Sequence, residues 1–220
     1  ANAYLKPVLK RDNLHLEMLA LTQRVIMEGQ RAVGVEYRQR GQTIRVRARK
    51  EVIISASAFN SPKLLMLSGI GPAKHLQELG IDVVHDLPGV GENLQDHLET
   101  WVQRRCTQKI TLNGWLNPIA QGWIGARWLF TKTGLGASNQ FESNGYIRSR
   151  AGLQWPDLQY HFLAGAIAYD GSSAVKGHGF QVHLGHNKPA SRGWVRLASA
   201  DPADPPRMLF NYLAEEADRQ

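Results

Sequence analysis

Between residues 55 and 97 the chain holds residue types and spacings that suit the binding of an anion beneath a loop. Ser55-Ala56-Ser57-Ala58 runs into Ser61-Pro62-Lys63-Leu64-Leu65-Met66-Leu67, where Ser61 can cap a helix, Pro62 can occupy its first position and Gly69 can close it. A tight turn feeding a helix N-terminus presents free N–H groups and positive dipole, a natural neighbour for a pyrophosphate. After the turn-rich Pro88-Gly89-Val90-Gly91, the side chains of Asn93, Asp96 and His97 suit two roles equally: anchoring a loop over a bound group, or capping the Pro-Gly turn and the segment behind it. Further on, Glu142 follows Phe141. A carboxylate beside aromatic faces is what a quaternary ammonium needs, because that cation has no N–H to donate. A surface glutamate, or one paired with Arg148, uses the same residue.

The histidines offer less. His178, His183 and His186 are close in sequence, but alternation along a strand puts His183 and His186 on opposite faces, with no cysteine or carboxylate beside them. No metal site is expected. His161 lies in an aromatic strand, where it can line a pocket or serve as a satisfied core histidine.

The elements that position these residues fall into two textures. Short strands separated by the hairpin glycines Gly29 and Gly41 are expected at Leu14–Leu21, Val25–Met27, Val33–Tyr37 and Ile44–Ile54. Val52-Ile53-Ile54 reads as a strand buried on both faces. The helix beginning at Pro62, a second helix over Ala73–Leu79 and a strand at Asp82–His85 then supply strand–helix–strand material. Beyond Leu98 lie all the tryptophans, with a helix expected over Ile119–Phe130 and strands at Asp157–Leu163, Phe180–Leu184 and Gly193–Leu197. A domain boundary is expected near His97–Trp101.

The chain has 220 residues, 43% hydrophobic and 20% charged, which is globular composition and excludes a disordered tail or fibrous repeat. No apolar run approaches the roughly 20 residues of a membrane helix. The net charge is +7, with an excess between Arg38 and Lys50. In Ile44-Arg45-Val46-Arg47-Ala48-Arg49 the arginines alternate with apolar residues, as on one wet face of a strand; an anion-binding surface is the other use of that pattern. No zinc-finger, helix-turn-helix or aromatic-interleaved basic pattern points to nucleic acid. The lone Cys106 fits a reducing compartment. The ends, Ala1-Asn2-Ala3-Tyr4 and Glu215-Glu216-Ala217-Asp218-Arg219-Gln220, read as cut from a longer protein.

Ser57-Ala58-Phe59-Asn60-Ser61-Pro62-Lys63-Leu64-Leu65-Met66-Leu67-Ser68-Gly69-Ile70-Gly71 resembles the second signature of the glucose-methanol-choline (GMC) oxidoreductases, flavoproteins that oxidise alcohols. Gly89-Val90-Gly91-Glu92-Asn93-Leu94-Gln95-Asp96-His97 resembles the same family's GVGxNLQDH element, in the right order and spacing. Gly136 to Glu142, Gly145 to Ser149, Trp155 to Phe162 and Ser191 to Leu197 look like its choline dehydrogenase branch. One departure is Ser57, where the family usually has glycine.

The resemblance implies an α/β, mixed α+β fold: residues 1–98 as part of a discontinuous FAD-binding domain (a β-meander plus a strand–helix unit), then residues 99–220 as part of an antiparallel-sheet substrate domain. It implies FAD as cofactor. Val25 would hold the adenine edge through its main chain, although an ordinary strand core position is the plainer use of that valine. Ser55 and Ala56 would form the pyrophosphate turn, and Asn93, Asp96 and His97 the loop over the flavin. Glu142, Phe141 and His161 would meet the substrate. No catalytic residue is expected here: the chain lacks the family's GxGxxG motif, and the C-terminal histidine base is expected beyond residue 220. The implied whole is a choline dehydrogenase that passes hydride to flavin N5, forming betaine aldehyde on the way to glycine betaine, with oxygen or a membrane quinone as acceptor. It would be cytoplasmic, with peripheral contact at an inner membrane face open to it. The alternatives are a GMC dehydrogenase for another primary alcohol and a non-catalytic binding domain that uses the arginine strand.

Overall fold

Alternation between Leu21 and Arg47 folds as three antiparallel strands, β1 (Leu21–Glu28), β2 (Arg31–Gln39) and β3 (Gln42–Arg47), in that order across the sheet. Between β2 and β3, Arg40 and Gly41 both take positive φ (50° and 79°), the backbone of a two-residue hairpin turn. Glu36 lies opposite Arg24 on one neighbour and Arg45 on the other, and their Nε–H groups donate to its carboxylate at 3.0 and 2.6 Å. Arg47 pairs with Glu28 at 2.8 Å. The arginine face is thus exposed but matched by carboxylates.

The computed structural model describes residues 2–168 and 170–219; Ala1 and Gln220, the two ends quoted above, lie outside them. Two expected strands are shorter than the alternation suggests. Residues 14–20 are irregular, and Leu19, 96% exposed with φ 54°, has left the extended region before β1 begins. The strand expected to reach Ile54 ends at Arg47, and Val52-Ile53-Ile54 is irregular with Ile53 76% exposed. A strand buried on both faces belongs to a sheet covered on both sides, and none of the strands among the described residues pairs with this segment.

Helix α1 (Ser57–Leu67) starts before Pro62, which lies inside it. The Ser61 hydroxyl therefore does not cap a start at Pro62; it accepts from the Ala56 N–H at 3.0 Å, closing the turn that leads into the helix. Ser57, with φ 75°, occupies the left-handed region at the helix's first residue. Gly69, φ 81°, ends the helix and leads into β4 (Ile70–Gly71), α2 (Ala73–Glu78) and β5 (His85–Asp86). Strands β4 and β5 pair in parallel across α2, so the strand expected at 82–85 is reduced to a short bridge at its end. Met66 and Leu76 are fully buried with Val90 and Leu197, forming the core beneath these elements.

Strand β6 (Glu92–Leu94) is followed by β7 (Glu99–Cys106), α3 (Pro118–Thr131), β8 (Ser143–Ile147), β9 (Leu158–Leu163) and β10 (His178–His186). Helix α3 starts where Asn117 caps it, its Oδ1 accepting from the Ala120 N–H at 2.9 Å, with Pro118 at the first position. Strands β7, β10, β9 and β8 form a four-stranded antiparallel sheet in that order. The chain ends with β11 (Gly193–Arg196), β12 (Arg207–Leu209) and α4 (Glu216–Arg219). No helix among the described residues is long and apolar enough to cross a membrane.

The architecture is mixed α/β with antiparallel sheets, divided into two compact units: Ala1–Gln95 with Arg192–Asn211, and Asp96–Ser191 with Tyr212–Gln220. Residues 192–211 thus lie outside the contiguous 99–220 segment expected from the change of texture. The cause is pairing: β11 lies between β12 and β6, and the Val195 N–H donates to the Gly91 carbonyl at 2.6 Å.

Two stability outcomes follow. Replacing Ser57 with glycine relieves a left-handed L-residue and is expected to raise unfolding free energy by about 1 kcal/mol, read from the denaturant midpoint. Hydrogen bonds from Arg24 and then Arg45 hold the Glu36 carboxyl below the usual carboxylate range. Because the folded state lowers this value, the contribution is complete above the unfolded value and is lost as pH falls through the folded one. Glu36→Gln should therefore flatten the decline in stability between neutral pH and the acid side of the carboxylate range; an unchanged slope would remove this ion triad from the acid response.

Candidate functional site

In the first unit, the turn before α1 lies beside the segment around Asn93. Ser55 is exposed and irregular; Ala56 is half-buried at the helix cap, its N–H already taken by Ser61. A cavity of about 270 Å³ is lined by Ala58 and Pro62 of the α1 first turns, Gly91, Asn93 and Leu94, and Val195. Proline at position 62 supplies no N–H, so the Ala58 carbonyl loses its usual helical donor at this wall. Asn93 sits on β6 with φ 58°, a conformation that asparagine tolerates better than most residues.

Val25 is buried in β1, an edge strand paired only with β2. Its N–H points away from β2 and donates to the Ser68 hydroxyl at 2.8 Å, while that hydroxyl donates to the Leu64 carbonyl at 2.6 Å. In antiparallel pairing a residue's N–H and C=O share one side, so the Val25 carbonyl faces the same way. This edge borders a cavity of about 830 Å³ lined by Arg24, Val25, Met27, Arg45, Arg47 and Gly69, among others. The cavity thus combines a main-chain edge with three guanidinium groups, a donor set that suits a flat base next to anionic groups.

Asp96 and His97 belong to the second unit. The Asp96 carboxylate accepts the Tyr212 hydroxyl, and that bond, aided by burial, pushes the phenol up to about 12. His97 is exposed in an irregular segment. The Pro-Gly turn is closed by its own backbone, Val90 N–H to Leu87 and Glu92 N–H to Gly89, each at 3.1 Å, so among these bonds none of the side chains of Asn93, Asp96 or His97 serves as its cap.

Also in the second unit, Glu142 and Phe141 separate. The Glu142 carboxylate accepts the Ser138 hydroxyl at 2.7 Å and lines a cavity of about 350 Å³ with Trp115, Trp123, Ile124, Arg127 and Leu135. It is not paired with Arg148, which donates instead to the carbonyls of Leu153 and Gln154. Phe141 instead meets two histidines edge-on, His161 at 5.9 Å between ring centroids and His183 at 5.5 Å. Phe141 and His161 are therefore brought together, while the aromatic residues that line the Glu142 cavity are Trp115 and Trp123.

Sequence reasoning weighed His183 only as a metal ligand and gave no role to Glu99, Trp101 or Gln181. His183 Nδ1 lies 2.5 Å from Glu99 Oε1, and its ring stacks on Trp101 at 5.8 Å. The available signal was the period-two spacing of Glu99, Trp101 and Gln103, which marks one face of a strand; the change of texture masked it as a boundary. His186 likewise has a carboxylate, Asp218 at 3.6 Å. Burial pushes the Asp218 carboxyl up, but the Ser191 hydroxyl and the N–H groups of Ala190 and Ser191 hold it below the usual range. Among the described residues no group of three His, Cys, Asp or Glu side chains is placed to hold a metal ion.

Residues 1–99 match the family model of the GMC oxidoreductases. Over 218 residues, 99% of its length, the chain is 56% identical to the oxygen-dependent choline dehydrogenase of Brucella anthropi, and it is equally similar to that of Rhizobium etli. It spans 40% of the length of each of these relatives. Among solved structures it superposes on an Aspergillus oryzae formate oxidase, a variant made to test FAD modification, with a TM-score of 0.87 at 25% identity, covering 96% of this chain and 42% of that one. The two motifs, the family match and the shared fold agree: residues 1–99 carry the GMC oxidoreductase family domain, and the chain along its length is similar to members of that family.

Proposed function

We propose that this chain is the middle segment of a FAD-dependent choline dehydrogenase that oxidises choline to betaine aldehyde. The observation that carries the reading is the 56% identity to oxygen-dependent choline dehydrogenases along 99% of the chain. When bound, FAD accepts the hydride from the alcohol carbon. Val25 and the arginine-lined cavity would hold its adenine end. Ser55, Ala56 and Asn93 would flank its diphosphate near the α1 first turn, and Asp96 and His97 would belong to the covering loop. The names of the relatives support oxygen as the acceptor. A lone cysteine fits the cytoplasm, and peripheral contact with the inner face of a membrane is part of the same reading.

Within this chain the substrate task is cation binding. Glu142 supplies the negative charge and Trp115 and Trp123 the aromatic faces, the combination that attracts a cation with no hydrogen to donate. Phe141 and His161 would face the rest of the alcohol. The proton of the hydroxyl group would be taken by a base outside these residues. In the arginine strand that the binding-domain alternative would use, Arg45 pairs with Glu36 and Arg47 with Glu28.

The isolated 220-residue chain is expected to reduce no redox dye with choline; measurable turnover would contradict its reading as a partial enzyme. In the full-length enzyme, Glu142→Gln should raise KM for choline about tenfold, equivalent to ~1.4 kcal/mol, and change KM for the uncharged isostere 3,3-dimethylbutan-1-ol less than about twofold. Equal effects on both alcohols would favour a neutral natural substrate.

A further inference from the structure

The sheet β7-β10-β9-β8 has two unlike faces. Its register aligns Trp101, His183, His161 and Asn144 in one row across the four strands. Alternation puts Glu99, Gln103 and Gln181 on the same face, whereas the other carries Phe162 and Phe180, with rings 5.6 Å apart, and Val182. Apolar packing is thus supplied from one side. On the other, Gln181 is 5% exposed and the His183 side chain 13% exposed, a burial of polar groups that is costly unless every group is bonded.

Every group is. The backbone N–H of Ile167 and the Gln103 amide both donate to Gln181 Oε1, at 3.0 and 2.9 Å. Two donors on that oxygen settle the amide's orientation, so Gln181 Nε2 must donate, and its partner is His183 Nε2 at 2.7 Å. His183 accepts at Nε2 and therefore carries its proton on Nδ1, directed to Glu99 Oε1 at 2.5 Å. With both nitrogens engaged, the ring offers only its faces and edges. Trp101 stacks on it with 27° between planes, and Phe141 meets it at 80°. Trp101 and Phe141 themselves stay open, at 36% and 38% exposure.

We propose that His183 is a positioning residue: the Gln181–His183–Glu99 relay locks its ring, and the ring sets Trp101 and Phe141 as a rigid aromatic wall for the alcohol substrate. This rests on the reading above that Phe141 and His161 face the substrate. A wall of this kind acts by shape, so it serves choline and an uncharged isostere alike, in contrast to Glu142. Its effect lies in binding, because neither nitrogen of His183 is available to move a proton of the reacting alcohol.

The test uses the full-length, FAD-loaded enzyme. His183→Phe keeps a ring but removes both hydrogen bonds. It should raise KM for choline and for 3,3-dimethylbutan-1-ol alike, by about tenfold, with kcat within about twofold and the flavin absorbance unchanged, while the thermal midpoint falls because the buried Gln181 amide loses its acceptor. Glu99→Ala should reproduce the rise, and Glu99→Gln, whose amide oxygen still accepts from Nδ1–H, should recover most of it; these carry the test if His183→Phe does not fold. An active wild type whose KM values survive these substitutions overturns the relay, as does a parallel loss of kcat and flavin. A wild-type enzyme that oxidises no choline overturns instead the functional reading on which the relay rests.

Discussion

Gly91 meets Val195 so closely that a β-carbon at position 91 would lie 2.2 Å from the Val195 carbonyl oxygen, and much of the first unit depends on that approach. The Val195 N–H donates to the Gly91 carbonyl, which seats β11 beside β6 and closes the core in which Leu197 meets Met66, Leu76 and Val90. Only glycine combines φ 83° with that distance. Glycine in the GVGxNLQDH element thus has a backbone reason: it lets a segment 100 residues later return and form the floor of the small cavity between Asn93 and the first turns of α1.

Charge is arranged by the same economy of contact. Where arginines line a cavity beside Val25, carboxylates of the meander hold them in place: Glu36 spans β1 and β3, and Glu28 holds Arg47. The paired side chains remain half-exposed or more on the arginine side, so individual pairs add little stability; their value is that they keep the guanidinium groups oriented at the edge of the cavity. Asp218 shows the buried counterpart, a carboxylate made tolerable by the hydroxyl and backbone N–H groups of the 190–191 turn.

The second unit separates tasks by the two sides of an extended chain. Adjacent residues at 141 and 142 point to different surroundings: Phe141 to the histidine rings of the polar sheet face, Glu142 to the indoles near α3. The polar sheet face tolerates its buried amide and imidazole because the hydrogen bonds form an unbroken chain that starts at a backbone N–H and ends at a carboxylate.

Local chemistry determined much of this protein from sequence alone. The glycines at 29 and 41 marked the hairpins, the stretch Ile119–Phe130 a helix, and the two motifs the family resemblance, because turns, periodicity and short binding elements depend on neighbours a few residues away. Composition pointed to a chain of globular class with a single thiol. Tertiary structure alone decided the rest. The segment 52–54 carries residues suited to a strand but pairs with no strand among the described residues, since pairing is a property of the sheet and not of the segment. Residues 192–211 join the first unit through the pairing of β11 with β6, the Val195–Gly91 hydrogen bond across 104 positions, the Lys63 bonds to the Pro202 and Asp204 carbonyls and the packing of Leu197. His183 was legible as a histidine on a strand. Its partners, tautomer and aromatic neighbours come from the register of three other strands, which bring together positions as far apart as Glu99 and His183.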